Sequence, residues 1–123
     1  MFKGDKLLLF KPEHVKPILE GRKTQTRRIW KKAHVKVGRI HKAKTKMLSK
    51  DYFALLEILD VHREVFQCIT EEDAQKEGGY TRESYIKKFF EINPKADKYT
   101  AHGQIPFNVW VVEFRVVHEY IID

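Results

Sequence analysis

Leu7, Leu8, Leu9 and Phe10 form an unbroken apolar run within residues 5–10, which predicts a short strand buried on both faces. Pro12 stands where a first helical turn tolerates proline. Val15, Ile18 and Leu19 then recur at helical spacing and Gly21 supplies a stop, so a short helix is expected to end there. Residues 23–30 are polar but β-tolerant and lead into a basic stretch at 31–36, read as a loop that Gly38 punctuates. Weak alternation over 39–47 and an aliphatic and aromatic segment at 52–65 predict two strands paired as a hairpin around Ser49, Lys50 and Asp51.

Thr70 can accept from first-turn amides, and Glu71, Glu72 and Asp73 suit the positive end of the helix dipole, so a helix is expected from there to Gly78 and Gly79. Thr81 and Glu83 open a second helix whose Tyr85, Phe89 and Ile92 share one face, with Pro94 after its end. Residues 95–104 read as a polar loop. From 106 to 120 the chain alternates, with Trp110, Val112, Phe114 and Val116 on one face and Glu113 and Arg115 on the other, as a long closing strand would. Strands predominate, no β-helix-β unit repeats and no internal repeat is visible. This favours an α+β fold, a small mixed β-barrel with a few short flanking helices, in a single domain over 1–123.

Charge sharpens this picture more than composition does. Residues 1–50 carry 16 Lys or Arg against 3 acids, whereas residues 51–123 carry 8 against 14, so the basic half points to a polyanion such as RNA. A solubilising surface is the plainer explanation of the same excess. The basic stretch lacks the leucine-rich or aromatic face of an interfacial helix, no apolar run is long enough to span a bilayer, and no signal-peptide pattern opens the chain. The expectation is a cytoplasmic protein with no membrane partner. Cys68 is the only cysteine, which excludes an internal disulfide. The six histidines are scattered, so neither a metal nor a cofactor is expected.

The densest polar segment is 21–28, where Arg22, Lys23, Arg27 and Arg28 follow Gly21. Mutual repulsion among these cations calls for an offsetting acid or anion, and a partly desolvated Lys23 among arginines would have its pKa lowered towards that of a usable base. Cations after a helix C-terminus also complement its dipole without any further role. Glu77 lies in the last turn before Gly78, facing the negative end of the dipole, so something else is expected to hold it.

Gly21, Lys23 and Arg28 fit the G-x-K-x-x-x-x-R core of the ASCH family, relatives of PUA domains. The whole stretch with Arg22, Thr24, Thr26 and Arg27 resembles the G-R-K-T-x-T-x-R form of the small bacterial N(4)-acetylcytidine amidohydrolases. The acidic helix after Thr70 and the closing run Val111, Val112, Glu113 and Phe114 are also similar to that family, and Glu77 falls at the place of its catalytic glutamate. Two departures stand out. ASCH domains often carry an acid where Thr26 stands, and residues 29–49 are longer and more basic here than in the small amidohydrolases.

The resemblance implies a PUA-like barrel in which Thr26 is the nucleophile or orients the attacking water, Lys23 is the general base, and Glu77 positions the lysine. Gly21, Arg22, Thr24, Arg27 and Arg28 would contact the modified nucleoside or RNA, with Arg28 as a phosphate or carbonyl clamp. Lys23 and Thr26 differ by an odd number of positions, so a regular strand would point them to opposite faces, and the mechanism requires a turn or bulge between them. Trp30, Tyr52 and Phe53 are candidates for stacking a base, although aromatic residues in strands more often pack in cores. The competing readings are a non-catalytic RNA-binding module and an ASCH-type ribonuclease, in which the same lysine would stabilise a phosphorane.

Overall fold

A computed structural model describes residues 7–101 and 103–118. Five strands, β1 (Leu8–Leu9), β2 (Gln25–Arg28), β3 (Ile40–Lys44), β4 (Ala54–Val65) and β5 (Asn108–Val116), form one mixed sheet in the order β1-β3-β4-β5-β2. β1 runs parallel to β3 and every other pairing is antiparallel. The twelve-residue β4 is the spine, pairing with both β3 and β5, and a register shift between Ile58 and Asp60 lets it bend so that the sheet curls into a half-barrel. Across the open side, Nη2 of Arg28 on β2 donates to the carbonyl of Leu9 on β1 at 2.7 Å, tying one sheet edge to the other.

Four short helices flank the sheet: α1 (Val15–Leu19), α2 (Glu71–Lys76), α3 (Arg82–Ile92) and α4 (Pro94–Thr100). Both α2 and α3 begin in a capping box, with the Thr70 and Thr81 side chains accepting from the amides of Asp73 and Ser84. The fold is thus the small α+β arrangement of a mixed sheet with a few short flanking helices that the sequence predicts, with the expected barrel present as a half-barrel.

Hydrophobic burial divides between two clusters. Leu8, Phe10, Ile18, Leu56, Ile58 and Phe114 fill the curl of the sheet, while Phe66, Ala74, Tyr85, Phe89, Val109 and Val111 lie beneath the helices. The fully buried neighbours Val111 and Val112 on β5 point one into each cluster, because helices cover one face of that strand and the half-barrel interior covers the other. The one-sided alternation expected for the closing strand therefore holds only in its second half.

Two further expectations change. The strand expected over 5–10 is seen only at Leu8–Leu9, with residues 5 and 6 outside the described part, although the amide of Phe10 still donates to the Lys44 carbonyl at 2.8 Å. The polar loop expected over 95–104 is mostly helix. Pro94 starts α4, and Ala96 and Thr100, four positions apart, are both buried. That one-turn apolar signal is too short to stand out among Lys95, Asp97 and Lys98. No helix among the described residues is long and apolar enough to cross a membrane.

Candidate active site

The site begins with the way segment 21–28 is held. Gly21 follows α1 at φ +79°, a left-handed conformation that suits glycine, and the amides of Arg22 and Lys23 both donate back to the Pro17 carbonyl. Lys23 then pairs with Glu77 as an isolated antiparallel bridge, and the Thr24 amide donates to the Lys76 carbonyl at 2.7 Å. Regular pairing with β5 starts only at Gln25. The interruption required between Lys23 and Thr26 is present, produced by the chain crossing the end of α2 before it joins the sheet.

Within this crossing Glu77 is 1% exposed and caps the C-terminus of α2. It is no solvated surface acid: Oε1 accepts from Nζ of Lys23 at 3.0 Å and Oε2 from Nη1 of Arg27 at 2.7 Å. The Lys23 ammonium, 2% exposed, also donates to the carbonyls of Glu77 at 2.8 Å and Gln25 at 3.0 Å, so three acceptors surround it. Burial lowers the Lys23 pKa from its ordinary 10.5, and the opposing attraction of Glu77 only partly offsets this.

Arg27 and Arg28 are adjacent on β2 and point to opposite faces. Arg27 is ringed by acids, with Glu77, Glu64 at 3.0 Å and Asp73 at 3.5 Å, and Gln25 accepts from its Nη1 at 2.8 Å. Burial alone would lower its pKa, but Glu77 and Glu64 outweigh burial and raise it. Arg28 instead donates from Nε to Oγ1 of Thr26 at 2.9 Å and from Nη2 to Leu9, and its guanidinium lies 4.9 Å from the centre of the Phe10 ring. Burial lowers the Arg28 pKa to about 10, which leaves it charged at neutral pH.

These groups open onto a cavity of about 380 Å³, whose lining includes Lys23, Thr26, Arg28 and Glu77 with apolar walls from Phe10, Tyr85 and Phe89. The volume falls in the usual range for small-molecule sites, about 300–1,000 Å³. Thr26 is buried, and among the described residues its hydroxyl makes one hydrogen bond, as acceptor from Arg28, so its own proton remains free to be given away. The hydroxyl of Tyr85 stays protonated, since burial and the Glu77 charge push its pKa well up.

His14 is a site residue that the sequence did not single out. It closes the 3-10 turn Pro12–His14, lines the same cavity, and its Nε2 lies 2.9 Å from the Tyr80 hydroxyl. Burial and the Lys23 charge push its pKa down to about 4, so the ring is neutral at physiological pH. No spacing in the sequence links positions 14 and 80. The only available signal was Pro12, which fixes the turn.

The remaining candidates scatter. Arg22 is half exposed and pairs with Glu20, Thr24 is half-buried, and a Cβ at Gly21 would meet nothing within 4 Å. Trp30 stacks on His34 with centroids 4.5 Å apart, Phe53 packs against the half-barrel core, and Tyr52 is half exposed with Nζ of Lys42 5.1 Å from its ring centre. Among the described residues no three His, Cys, Asp or Glu side chains gather as metal ligands.

The half-barrel and its flanking helices define a small α+β fold like that of a solved ASCH domain. An ASCH domain from Lactobacillus crispatus superposes with a TM-score of 0.56 at 17% identity, covering 83% of this chain and 69% of that one. An Enterococcus faecalis protein of the DUF984 family superposes with a TM-score of 0.67 at 15% identity, covering 96% of this chain and 86% of that one. At such identities the likeness is one of fold. No protein-family model matches the sequence, and no curated protein matches it.

Proposed function

We propose that this protein is an amidohydrolase that removes the acyl group from N(4)-acetylcytidine or a related modified nucleoside. One observation carries the reading: a buried Lys23–Glu77 pair opens onto the same nucleoside-sized cavity as a threonine hydroxyl that, among the described residues, donates its proton to no partner. A threonine is a weak nucleophile unless a base activates it, and burial of Lys23 favours the neutral amine that can serve.

In this mechanism Oγ1 of Thr26 attacks the acyl carbon and its proton passes to neutral Lys23. The resulting ammonium is stabilised by Glu77, then returns the proton to the exocyclic nitrogen as the C–N bond breaks, leaving cytidine and a threonyl ester. Water, deprotonated by Lys23, cleaves the ester to acetate and restores the hydroxyl. Arg28 fixes the Thr26 oxygen by its Nε–H, and Arg27 holds Glu77 from the far side. Lys23 must first lose the proton that its three acceptors stabilise, so turnover should rise with pH along a limb below the ordinary lysine range.

The test is hydrolysis of N(4)-acetylcytidine, followed by absorbance as cytidine forms, with wild type, Lys23→Ala and Thr26→Val. Each variant should lose a factor of about 10²–10⁴ in kcat, the usual worth of a positioned base. A wild type without turnover overturns the reading. The alternative is then a non-catalytic RNA-binding module, favoured by the exposed lysines 31, 32, 36 and 46, and its affinity should fall steeply with salt.

A further inference from the structure

Beyond Thr45, which borders the main cavity, lies a second recess of about 310 Å³ whose walls include Lys46, Asp51, Tyr52 and Phe53. Thr45 lines both, so the two recesses adjoin at the turn that joins β3 to β4.

This turn is held from beneath. Lys44 is 8% exposed, and its Nζ donates to the carbonyls of Met47, at 3.2 Å, and Ser49. The Asp51 amide donates to the Ser49 hydroxyl at 3.0 Å, and the Phe53 amide to the Ala43 carbonyl at 2.9 Å. Burying an ammonium is costly unless acceptors surround it, so an ordinary surface connection has no need of one. Here it fixes the shape of the recess. On its wall Tyr52 is 46% exposed, with the Lys42 ammonium 5.1 Å from the ring centre and Lys46 exposed alongside, whereas Asp51 adds one negative charge.

A half-exposed aromatic ring with one ammonium near its centre and a second lysine in the same recess suits a nucleobase with a single phosphodiester beside it. Asp51 disfavours a cluster of phosphates. We propose that this recess is a second base subsite, so that the nucleoside in the main cavity is one residue of a dinucleotide or longer single strand, with the neighbouring base on Tyr52 and the linking phosphate near Lys46. The inference rests on the nucleoside reading of the main cavity.

The experiment measures the dissociation constants of cytidine and of an unmodified cytidine-containing ribodinucleotide, for wild type, Tyr52→Ala and Lys46→Ala, alongside turnover of the acetylated forms of both. Wild type should bind the dinucleotide about tenfold more tightly than cytidine, the order of one base–aromatic stack. Tyr52→Ala should erase that preference and leave cytidine binding unchanged, and Lys46→Ala should weaken the dinucleotide alone. Equal affinity for the two ligands, or a preference that survives both substitutions, overturns the subsite. Binding needs no chemistry, so the two ideas fail separately. A dinucleotide preference without hydrolysis sinks the amidohydrolase and keeps the subsite, whereas hydrolysis without the preference sinks only the subsite.

Discussion

The two faces of β2 carry the same residue at adjacent positions and treat it in opposite ways. Arg27 meets Glu64, Asp73 and Glu77 and is neutralised in place, while Arg28 meets a hydroxyl, a carbonyl and an aromatic ring, with no carboxylate in ion-pair range among the described residues. One face consumes its charge in holding the fold together. The other keeps its charge beside the cavity and Thr26, whereas Arg27 borders the same cavity with its charge already paired. The lesson is that a cation cluster in a sequence is not a unit. Strand alternation sorts its members into acid-paired and unpaired sets, and Glu77 stands between the two, holding Arg27 with one oxygen and Lys23 with the other.

The sharpest way to break the comparison is to remove that shared acid. Glu77→Gln leaves Lys23 and Arg27 buried with one counter-charge fewer, and unpaired buried charge is what makes such substitutions severe. A loss of about 3–5 kcal/mol is expected in urea unfolding, along with loss of turnover. Lys23→Met should cost less, about 1–3 kcal/mol, because Glu77 retains Arg27. A Lys23→Met variant less stable than Glu77→Gln would mean that the lysine, not the acid, is the keystone.

Much of this was legible from the residues. Period-two alternation, the Thr70 and Thr81 caps and the glycine stops placed the hairpin, two helices and the closing strand, because each is a local signal. The odd offset between Lys23 and Thr26 even required the interruption seen before Gln25. Illegible were the contacts that depend on distant segments meeting. Nothing local says that Arg27 finds three acids from β4 and the α2 region, or that Glu77 is buried when Gln75 and Lys76 just before it are exposed. Nor does anything local say that His14 reaches Tyr80, 66 positions away. Helix α4 was missed because one buried turn among charges carries too weak a period to count.

A smaller perturbation separates the faces from the other side. Arg28→Lys keeps the positive charge but loses the planar group that reaches Thr26 and Leu9 together. Stability should fall by about 1–1.5 kcal/mol, the net worth of such hydrogen bonds, as read by the urea midpoint. If Arg28 serves mainly to fix the threonine oxygen, kcat should drop with KM little changed. A rise in KM alone would assign it to substrate binding instead.

An effect of similar size, confined to low pH, is expected on acid stability, and it tests whether His14 stays uncharged on the cavity face. Charges facing His14 are those of Lys23 and Arg28 from the cavity, Lys88 from α3 and Glu13 beside it, of which only Glu13 favours protonation. With a folded pKa of about 4 against an ordinary 6.5, His14 is neutral in both states above pH 6.5, and its full contribution is present there. Below 6.5 the unfolded chain takes up a proton that the folded chain refuses. This part of the stability is therefore lost as pH falls towards 4, and levels off below it. The ring borders the cavity instead of closed core, so the loss should be about 1–2 kcal/mol rather than the full linkage value. His14→Gln removes the titration while keeping a partner for the Tyr80 hydroxyl, and should flatten the decline between pH 6.5 and 4. Tyr80→Phe should leave the decline in place and lower stability at every pH, because the phenol and not the imidazole charge is what it removes. A decline unchanged in His14→Gln would place the acid sensitivity on carboxylates such as Asp73, whose pKa is lowered because bonds from Thr70 and the Arg27 charge outweigh its burial. The acid-sensitive face of β2 would then be that of Arg27.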